Sequence, residues 1–425
     1  MRHPTRRGLL RAGLAGGFAW AGMGLPVPAP AAPALHLRRG ISLWPWFSLT
    51  REYPPPSRDY GWPAFQTGRP VPTPADLRRL AAAGFDFVRL PLDPGPFLAL
   101  TGPHRLALMD SLDQAVAAVR DAGLSLVLNV QANGATHFYN PDALYGRRDA
   151  PLFEAYAGFV AELAARYRHR DRLVLEPVNE PPQACGAADW NGIQSALLAA
   201  ARSAAPDLPL LATGACGGMI SGLTALDPQT LARFAPLLYG FHFYEPYLFT
   251  HQGAPWMREP VYRDLTGVPW PARSGSLDDT LRAVQARMRG DTGRSRPEQD
   301  EVFALTRRKL TEYFEGAPDR AWIDHHLGLV RDWARRHAIP PEQIVMGEFG
   351  VLRTDTRYRG AARADRLRYL TDVRESAEAF GFGWALWNLF DGMGLVDETT
   401  QAWDGGVLHA LGLGDPGDRR TLGTP

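Results

Sequence analysis

The sequence contains few cysteines and lacks the common cysteine and histidine motifs for metals. Among 425 residues only Cys185 and Cys216 are cysteines, and neither a CxxC nor an HExxH motif occurs. Neither cysteine has neighbours typical of a metal ligand or a catalytic thiol. We therefore expect no metal and no other cofactor. A disulfide between the two cysteines suits an exported protein, and two free thiols are the alternative.

The chain also lacks a large net charge and a long apolar run. Its 46 Lys and Arg residues are balanced by 45 Asp and Glu residues, which gives no sign of a nucleic-acid partner. The apolar run from Ala12 to Leu25 is too short and too rich in glycine for a stable membrane span. We therefore expect neither nucleic-acid binding nor stable membrane insertion.

The N-terminal residues resemble an export signal. Thr5 to Arg11 reads TRRGLLR, as in a twin-arginine signal, and the apolar run follows it. Residues 26–34, PVPAPAAPA, then offer the small residues of a cleavage site. We predict that residues 1–34 are the signal and that the mature protein is periplasmic or secreted. An uncleaved anchor is the alternative.

Short apolar strands alternate with amphipathic helices along the rest of the chain. A helix is predicted from the Thr73 cap to Ala83, with Gly84 as its stop. Eight strands are predicted, at Gly40–Trp44, Phe85–Leu90, Leu124–Val130, Arg172–Val178, Leu208–Thr213, Leu237–Phe243, Gln343–Phe349 and Gly383–Trp387.

This alternation predicts an α/β protein, a (β/α)8 barrel of the TIM type, formed by one catalytic domain over residues 35–425. A doubly wound open sheet would carry a glycine-rich phosphate-binding turn after its first strand. Trp44-Pro45-Trp46-Phe47 occupies that position instead. Residues 247–316, after the sixth strand, are predicted to form a long inserted loop with one helix at Leu277–Met288.

Polar and aromatic residues mark the carboxyl ends of five of the eight predicted strands. They are Arg89, Asn179 with Glu180, His242 with Tyr244, Glu348, and Trp387. The carboxyl ends of barrel strands converge on one mouth, where active sites lie. We therefore expect these side chains to form one site.

Two carboxylates on separate barrel strands suit cleavage of a glycosidic bond. One protonates the leaving oxygen while the other attacks the anomeric carbon. Asn179 can bind the neighbouring sugar hydroxyl, and Arg89 with Tyr244 can keep Glu348 ionised. His242 can bind sugar hydroxyls or tune the acid.

Four motifs resemble glycoside hydrolase family 5, the cellulase-like retaining barrel glycosidases. They are Asn179-Glu180-Pro181, His242-x-Tyr244, Gly347-Glu348-Phe349-Gly350 and Gly383-Trp384-Ala385-Leu386-Trp387. The resemblance spans nearly the whole mature chain. It implies that Glu180 is the acid/base and Glu348 the nucleophile, with Arg89, Asn179, His242, Tyr244 and Trp387 around them.

The sequence departs from that family at the end of the third strand. Gln131 stands where the family usually has a histidine, and a nearby histidine, His137, is either its substitute or an ordinary loop residue. The departure puts the exact substrate in doubt more than the reaction.

Further residues are candidates for sugar binding. An indole ring can stack on the apolar face of a sugar, and amide or carboxylate groups near the mouth can bind a distal sugar. These candidates are Trp44, Trp46, Trp256 and Trp387, with Asn388 and Asp391.

The sequence therefore predicts an exported, monomeric, retaining endo-β-1,4-glucanase that acts on cellulose-like or exopolysaccharide chains. A β-mannanase or another β-glycanase of the same mechanism is the alternative within the enzyme class. A barrel that binds glycans without cleaving them is a more distant alternative. A metal-dependent barrel hydrolase would need clustered His and Asp residues that the predicted strand ends lack.

Overall fold

The computed structural model describes residue 35, residues 37–291 and residues 293–414. The predicted export signal at residues 1–34 lies outside these described residues. All the elements below belong to one compact unit. No helix within the described ranges is long and apolar enough to cross a membrane.

Eight parallel strands close into a barrel, as predicted. Around the barrel the order is β1, β4, β5, β6, β7, β8, β9 and β10, which returns to β1. β2 and β3 form a separate antiparallel pair. The strands are β1 Arg39–Ser42, β2 Thr50–Glu52, β3 Tyr60–Phe65, β4 Phe87–Leu92, β5 Ser125–Val130, β6 Leu173–Glu176, β7 Leu210–Thr213, β8 Leu237–His242, β9 Ile344–Phe349 and β10 Gly383–Leu386.

The barrel strands are buried on both faces because helices cover the outside and side chains fill the inside. Every residue of β4 to β10 is buried, which explains their nearly continuous apolar sequences. The inside is tightly filled where β1 meets β4. A Cβ atom on Gly40 would lie 2.3 Å from Cζ of Phe87, so only glycine leaves room for that ring.

Fourteen helices surround the barrel or extend its loops within the described residues. They are α1 Pro74–Ala83, α2 Pro94–Ala99, α3 Gly102–Asp121, α4 Pro141–Tyr145, α5 Phe153–Tyr167, α6 Ala188–Ala204, α7 Ile220–Thr224, α8 Tyr247–Thr250, α9 Pro260–Asp264, α10 Leu277–Met288, α11 Arg296–Gly316, α12 Arg320–Arg336, α13 Arg363–Ala379 and α14 Gly405–Ala410. Short 3-10 helices lie at Pro228–Phe234, Ala272–Ser274 and Pro341–Gln343.

Local sequence signals set some of these boundaries closely. α1 begins at a capping box in which Thr73 and Asp76 bond each other's backbone N–H groups, and it ends at Gly84 in the left-handed conformation. The bounds predicted for α1 and α10 are those observed. By contrast, β4 begins and ends two residues later than predicted, so Arg89 lies within the strand and inside the barrel.

The region after β8 is more helical than predicted. It contains α8, α9 and the 21-residue α11 in addition to the predicted α10. α11 starts at a capping box formed by Ser295 and Glu298. Only a few residues of α11 are buried, so the helix needs only a narrow apolar stripe. Its sequence therefore shows only a weak helical periodicity of apolar residues.

Candidate active site

Arg89 lies at the centre of a buried network inside the barrel. Its Nε and Nη2 atoms donate to the two oxygens of Glu176 at 2.7 and 3.0 Å. Its Nη1 donates to Oε1 of Glu348 at 2.7 Å, and Nη2 also donates to Oδ1 of Asn179 at 2.6 Å. Burial disfavours the charged guanidinium, but Glu176 and Glu348 outweigh that effect and raise the pKa of Arg89. One arginine therefore orients Glu348 and Asn179 while Glu176 anchors it.

Both oxygens of the Glu348 carboxylate accept a hydrogen bond. Oε1 accepts from Arg89, and Oε2 accepts from the Tyr244 hydroxyl at 2.9 Å. Burial raises the pKa of Glu348 above its ordinary value, and the neighbouring Glu180 acts in the same direction. The positive charges of His242 and Arg89 and the Tyr244 hydroxyl oppose this rise without cancelling it. The hydrogen bonds favour the ionised form and fix its direction.

His242 joins the second carboxylate to the first. Its Nδ1 lies 2.9 Å from Oε1 of Glu180 and 3.6 Å from Oε2 of Glu348. Burial lowers the pKa of His242, but Glu348 and Glu180 oppose this and the net direction is upward. The Glu180 side chain is 45% exposed, while that of Glu348 is 5% exposed. The two carboxylates thus face each other in different surroundings.

Ligand atoms of Glu180, His242 and Glu348 all lie within 4.8 Å of one another. Such a set could hold a metal ion by distance alone. However, the Arg89 guanidinium already neutralises Glu348 from 2.7 Å away and would repel a cation at this place. The donor set therefore suits hydrogen bonding better than metal binding.

The loop that carries Glu180 is tied to the loop after β7. β6 ends at Glu176, so Glu180 lies four residues beyond the strand rather than at its end. The Gly217 and Cys216 N–H groups donate to the carbonyls of Pro181 and Gln183. Cys185 and Cys216 form a disulfide, which decides between the two alternatives left open above. These links hold the Glu180 loop against the loop that follows β7.

Two of the predicted aromatic platforms meet at the mouth. The ring centroids of Trp44 and Trp387 are 6.2 Å apart, because β1 and β10 are neighbours in the closed barrel. Trp387 also packs against a buried cluster that includes Tyr244. Trp256 is 47% exposed and makes edge contacts with Tyr358 and His251.

Two predicted sugar contacts do not fit the structure. Asn388 is fully buried, because the chain after Trp387 passes against β1, where the Leu389 N–H donates to the carbonyl of Ser42. Its amide is therefore covered rather than presented to a sugar. Trp46 stacks on Phe47 and lines a separate cavity near β3, α1 and α3.

The remaining candidates lie as follows. Gln131 lines the cavity beside Glu180 and Asn179. His137 does not replace the family's histidine, because one ring nitrogen lies 3.0 Å from Glu52 and the other 2.6 Å from the carbonyl of Ser57. Asp391 accepts a hydrogen bond from Tyr358.

Asp93 and Tyr145 line the same cavity and were missed by the sequence analysis. Asp93 follows β4 and is 1% exposed, and burial raises its pKa to about 7. Asp93 directly follows the observed strand, but the predicted strand ended two residues earlier, at Leu90, so the sequence did not mark Asp93 as a strand-end residue. Tyr145 lies on α4, far from any predicted strand end.

A closed barrel whose mouth presents two facing carboxylates, held by an arginine, a histidine and a tyrosine, has the form of a retaining barrel glycoside hydrolase. The family model described as Cellulase (glycosyl hydrolase family 5) matches residues 54–392. The chain therefore belongs to glycosyl hydrolase family 5.

Individual relatives agree with this family. Endoglucanase 3 of Fibrobacter succinogenes is 24% identical over 394 residues, which are 89% of this chain and 53% of that protein. Cellodextrinase A of Ruminococcus flavefaciens is 30% identical over 183 residues, 43% of this chain and 54% of that one. The chain spans about half the length of these two curated relatives.

Solved structures share the fold. Cellulose synthase subunit Z of Clostridioides difficile superposes with a TM-score of 0.62 at 20% identity, covering 88% of this chain and 99% of that one. Thermotoga maritima Cel5A in complex with cellobiose gives a TM-score of 0.61 at 20% identity, with 88% and 97% covered.

Proposed function

We propose that the protein is a retaining endo-β-1,4-glucanase in which Glu348 is the nucleophile and Glu180 the acid/base. The distance between the carboxylates carries the proposal. Oxygens of Glu180 and Glu348 lie within 4.8 Å of each other. Retaining glycosidases place these groups about 5–5.5 Å apart, whereas inverting enzymes leave roughly 6.5–9.5 Å for a water.

The reaction follows from the different surroundings of the two groups. A Glu348 oxygen attacks the anomeric carbon while Glu180 donates its proton to the departing glycosidic oxygen, so the bond between sugars breaks as a glycosyl ester forms. Glu180 then takes a proton from water, and that water's oxygen replaces Glu348 on the anomeric carbon. Arg89 and Tyr244 donate to the Glu348 carboxylate and so favour its ionised form, whereas the more exposed Glu180 can exchange protons with solvent.

The surrounding residues support these steps. The Oδ1 of Asn179 accepts from Arg89, which leaves its amide N–H groups for the sugar hydroxyl beside the anomeric carbon. Tyr244 and Arg89 fix the orientation of the Glu348 carboxylate, the proposed nucleophile. Trp44 and Trp387 provide neighbouring indole rings on which glucose units can stack.

The choice of glucan rests on the family and on the relatives named endoglucanase and cellodextrinase. A β-mannan would use the same carboxylates and differ only in how one hydroxyl is held. A barrel that binds glycans without turnover is the remaining candidate. A panel of glucan, mannan, xylan and bacterial exopolysaccharide, read by the lengths of the products, separates these functions and distinguishes endo from exo action.

The catalytic roles are tested by substitution. Glu348→Gln should abolish turnover and still bind oligosaccharide, because the amide keeps the shape of the carboxylate. Glu176→Gln is a matched control in the same network. It alters the partner of Arg89 without removing a reacting group, so it should retain far more turnover than Glu348→Gln. Full activity of Glu348→Gln would exclude the assignment.

We also propose that the enzyme acts as a monomer outside the cytoplasm. The disulfide between Cys185 and Cys216 supports an oxidising compartment. The N-terminal sequence of the protein recovered from periplasm or medium tests both the export and the cleavage site. A protein retained in the cytoplasm with residues 1–34 intact would contradict the proposal.

A further inference from the structure

The loop after β7 packs against both Glu180 and the histidine that contacts it. The His242 N–H donates to the carbonyl of Gly218 in this loop at 2.8 Å. A Cβ atom on Gly218 would lie 3.6 Å from the carbonyl oxygen of Asn179 and 3.7 Å from Cγ of His242. The side chains of Glu180 and His242 are 2.9 Å apart. A movement of this loop would therefore disturb Glu180 and His242 together.

The backbone of the same loop has a conformation that most residues disfavour. Three consecutive residues, Cys216, Gly217 and Gly218, have φ angles of 65°, 64° and 71°. Glycine adopts this left-handed region readily, but a residue with a Cβ atom is strained there. The conformation of Cys216 therefore depends on contacts that hold it in place.

Bonds to the loop that carries the acid/base supply these contacts. The Cys216 N–H donates to the carbonyl of Gln183 at 2.8 Å, and the Gly217 N–H donates to the carbonyl of Pro181 at 2.9 Å. The disulfide joins Cys216 to Cys185 in the same loop. Water can replace the partner of either hydrogen bond, but it cannot replace the covalent bond. The disulfide is therefore the link that keeps the two loops together.

The two carboxylates depend on these loops to different degrees. The Glu348 side chain is 5% exposed, and both Arg89 and Tyr244 donate to it. The Glu180 side chain is 45% exposed and contacts His242. The position of Glu348 is thus set inside the barrel, whereas that of Glu180 is set by its loop. Precision matters here, because a misplacement of about 1 Å can lower a rate about 100-fold.

We propose that the disulfide between Cys185 and Cys216 positions Glu180 for its proton transfers. The two cysteines are positioning residues, since they act through Glu180. This inference rests on the proposed function, in which Glu180 is the acid/base and Glu348 the nucleophile. It predicts a selective defect. Loss of the disulfide should slow proton donation to the leaving group and leave the attack by Glu348 intact.

Cellobiosides with different aryl leaving groups separate these two effects. Dinitrophenolate is a stable anion that departs without a proton, whereas phenolate is more basic and needs a proton from the acid. The double variant Cys185→Ser with Cys216→Ser should keep kcat/KM for dinitrophenyl cellobioside within about twofold of the wild type. For phenyl cellobioside kcat/KM should fall about tenfold or more, because general acid catalysis contributes about 10²–10⁴-fold. A loss of folded protein would instead lower both values equally.

A control and a second route isolate the disulfide. Ser221→Ala removes a hydroxyl 3.3 Å from Sγ of Cys185 and leaves the disulfide intact, so both kcat/KM values should stay unchanged. If the double variant fails to fold, a water-soluble phosphine can reduce the folded wild type, since Cys185 is exposed. The sulfurs then gain two electrons from the phosphine and two protons from water, whose oxygen ends on the phosphine. The same selective loss is expected, and reoxidation with oxidised glutathione should restore activity.

Equal losses for the two aryl cellobiosides, or no loss for either, would overturn the inference. Failure of the proposed function would look different, and Glu180→Ala with the disulfide intact reveals it. If Glu180 is not the acid/base, this variant shows no dependence on the leaving group. A selective loss in Glu180→Ala, combined with no selective loss in the cysteine variant, would refute the positioning role alone.

Discussion

Replacing Asp93 with asparagine should change how the stability of the protein depends on pH. Burial raises the pKa of Asp93 from an ordinary 3.8 to about 7, with Glu52 acting in the same direction and the Gly95 N–H and the Thr50 side chain opposing it. The folded state therefore binds this proton more tightly than the unfolded state does. The resulting stabilisation is complete below about pH 4 and is lost as the pH rises through about 7.

The size of the effect follows from the shift in pKa. Each pKa unit corresponds to about 1.4 kcal/mol, so the full difference is about 4 kcal/mol for a group as buried as Asp93. The asparagine side chain would be uncharged at every pH and would keep an oxygen for the Gly95 N–H. Relative to Asp93→Asn, the wild type should lose up to about 4 kcal/mol of unfolding free energy between pH 4 and pH 8.

Urea unfolding of both proteins at several pH values measures this difference. Asp149→Asn serves as the control, because that side chain is 80% exposed and its replacement should give no pH-dependent difference. A constant difference between wild type and Asp93→Asn from pH 4 to pH 8 would refute the reasoning. It would show that Asp93 is ionised in the folded protein throughout that range.

Three other changes test the buried network. Arg89→Met should destabilise the protein by about 3–5 kcal/mol in urea unfolding, because it leaves Glu176 and Glu348 buried without their cation; a loss below about 1 kcal/mol would contradict this. Tyr244→Phe removes a hydrogen bond that lowers the pKa of Glu348, so the acidic limb of the pH profile of kcat/KM should move to higher pH. An acidic limb that stays in place or moves to lower pH would argue against Glu348 as the nucleophile. Prolonged treatment with a chelator should leave activity and Tm unchanged, because Arg89 disfavours a cation at the site. A loss of activity that a divalent metal restores would show that Glu180, His242 and Glu348 bind a metal ion.

The barrel and its paired glutamates were predictable because they depend on local patterns. Apolar strands alternate with capped helices along the chain, as a (β/α)8 barrel requires, and Thr73 and Gly84 mark the two ends of α1. Glu180 and Glu348 each follow or end such a strand, so the topology alone brings them to the same mouth.

Other features depend on register and burial, which local patterns do not determine. An apolar strand buried on both faces has no alternation to fix its register, so the two-residue shift of β4 and the interior position of Arg89 could not be foreseen. The burial of Asn388 depends on how the chain passes β1 after Trp387. The cavity beside Glu180 is formed by residues from five separate segments, and no single segment predicts it.

The unequal exposure of Glu180 and Glu348 has a consequence for chemical labelling. A water-soluble carbodiimide reacts with protonated carboxyl groups that it can reach from solvent. Glu180, with 45% of its side chain exposed, is open to such a reagent, whereas Glu348 is 5% exposed and covered by Arg89 and Tyr244. Labelling from bulk solvent therefore distinguishes the two carboxylates. A reagent that modifies Glu348 must first occupy the site as a sugar does.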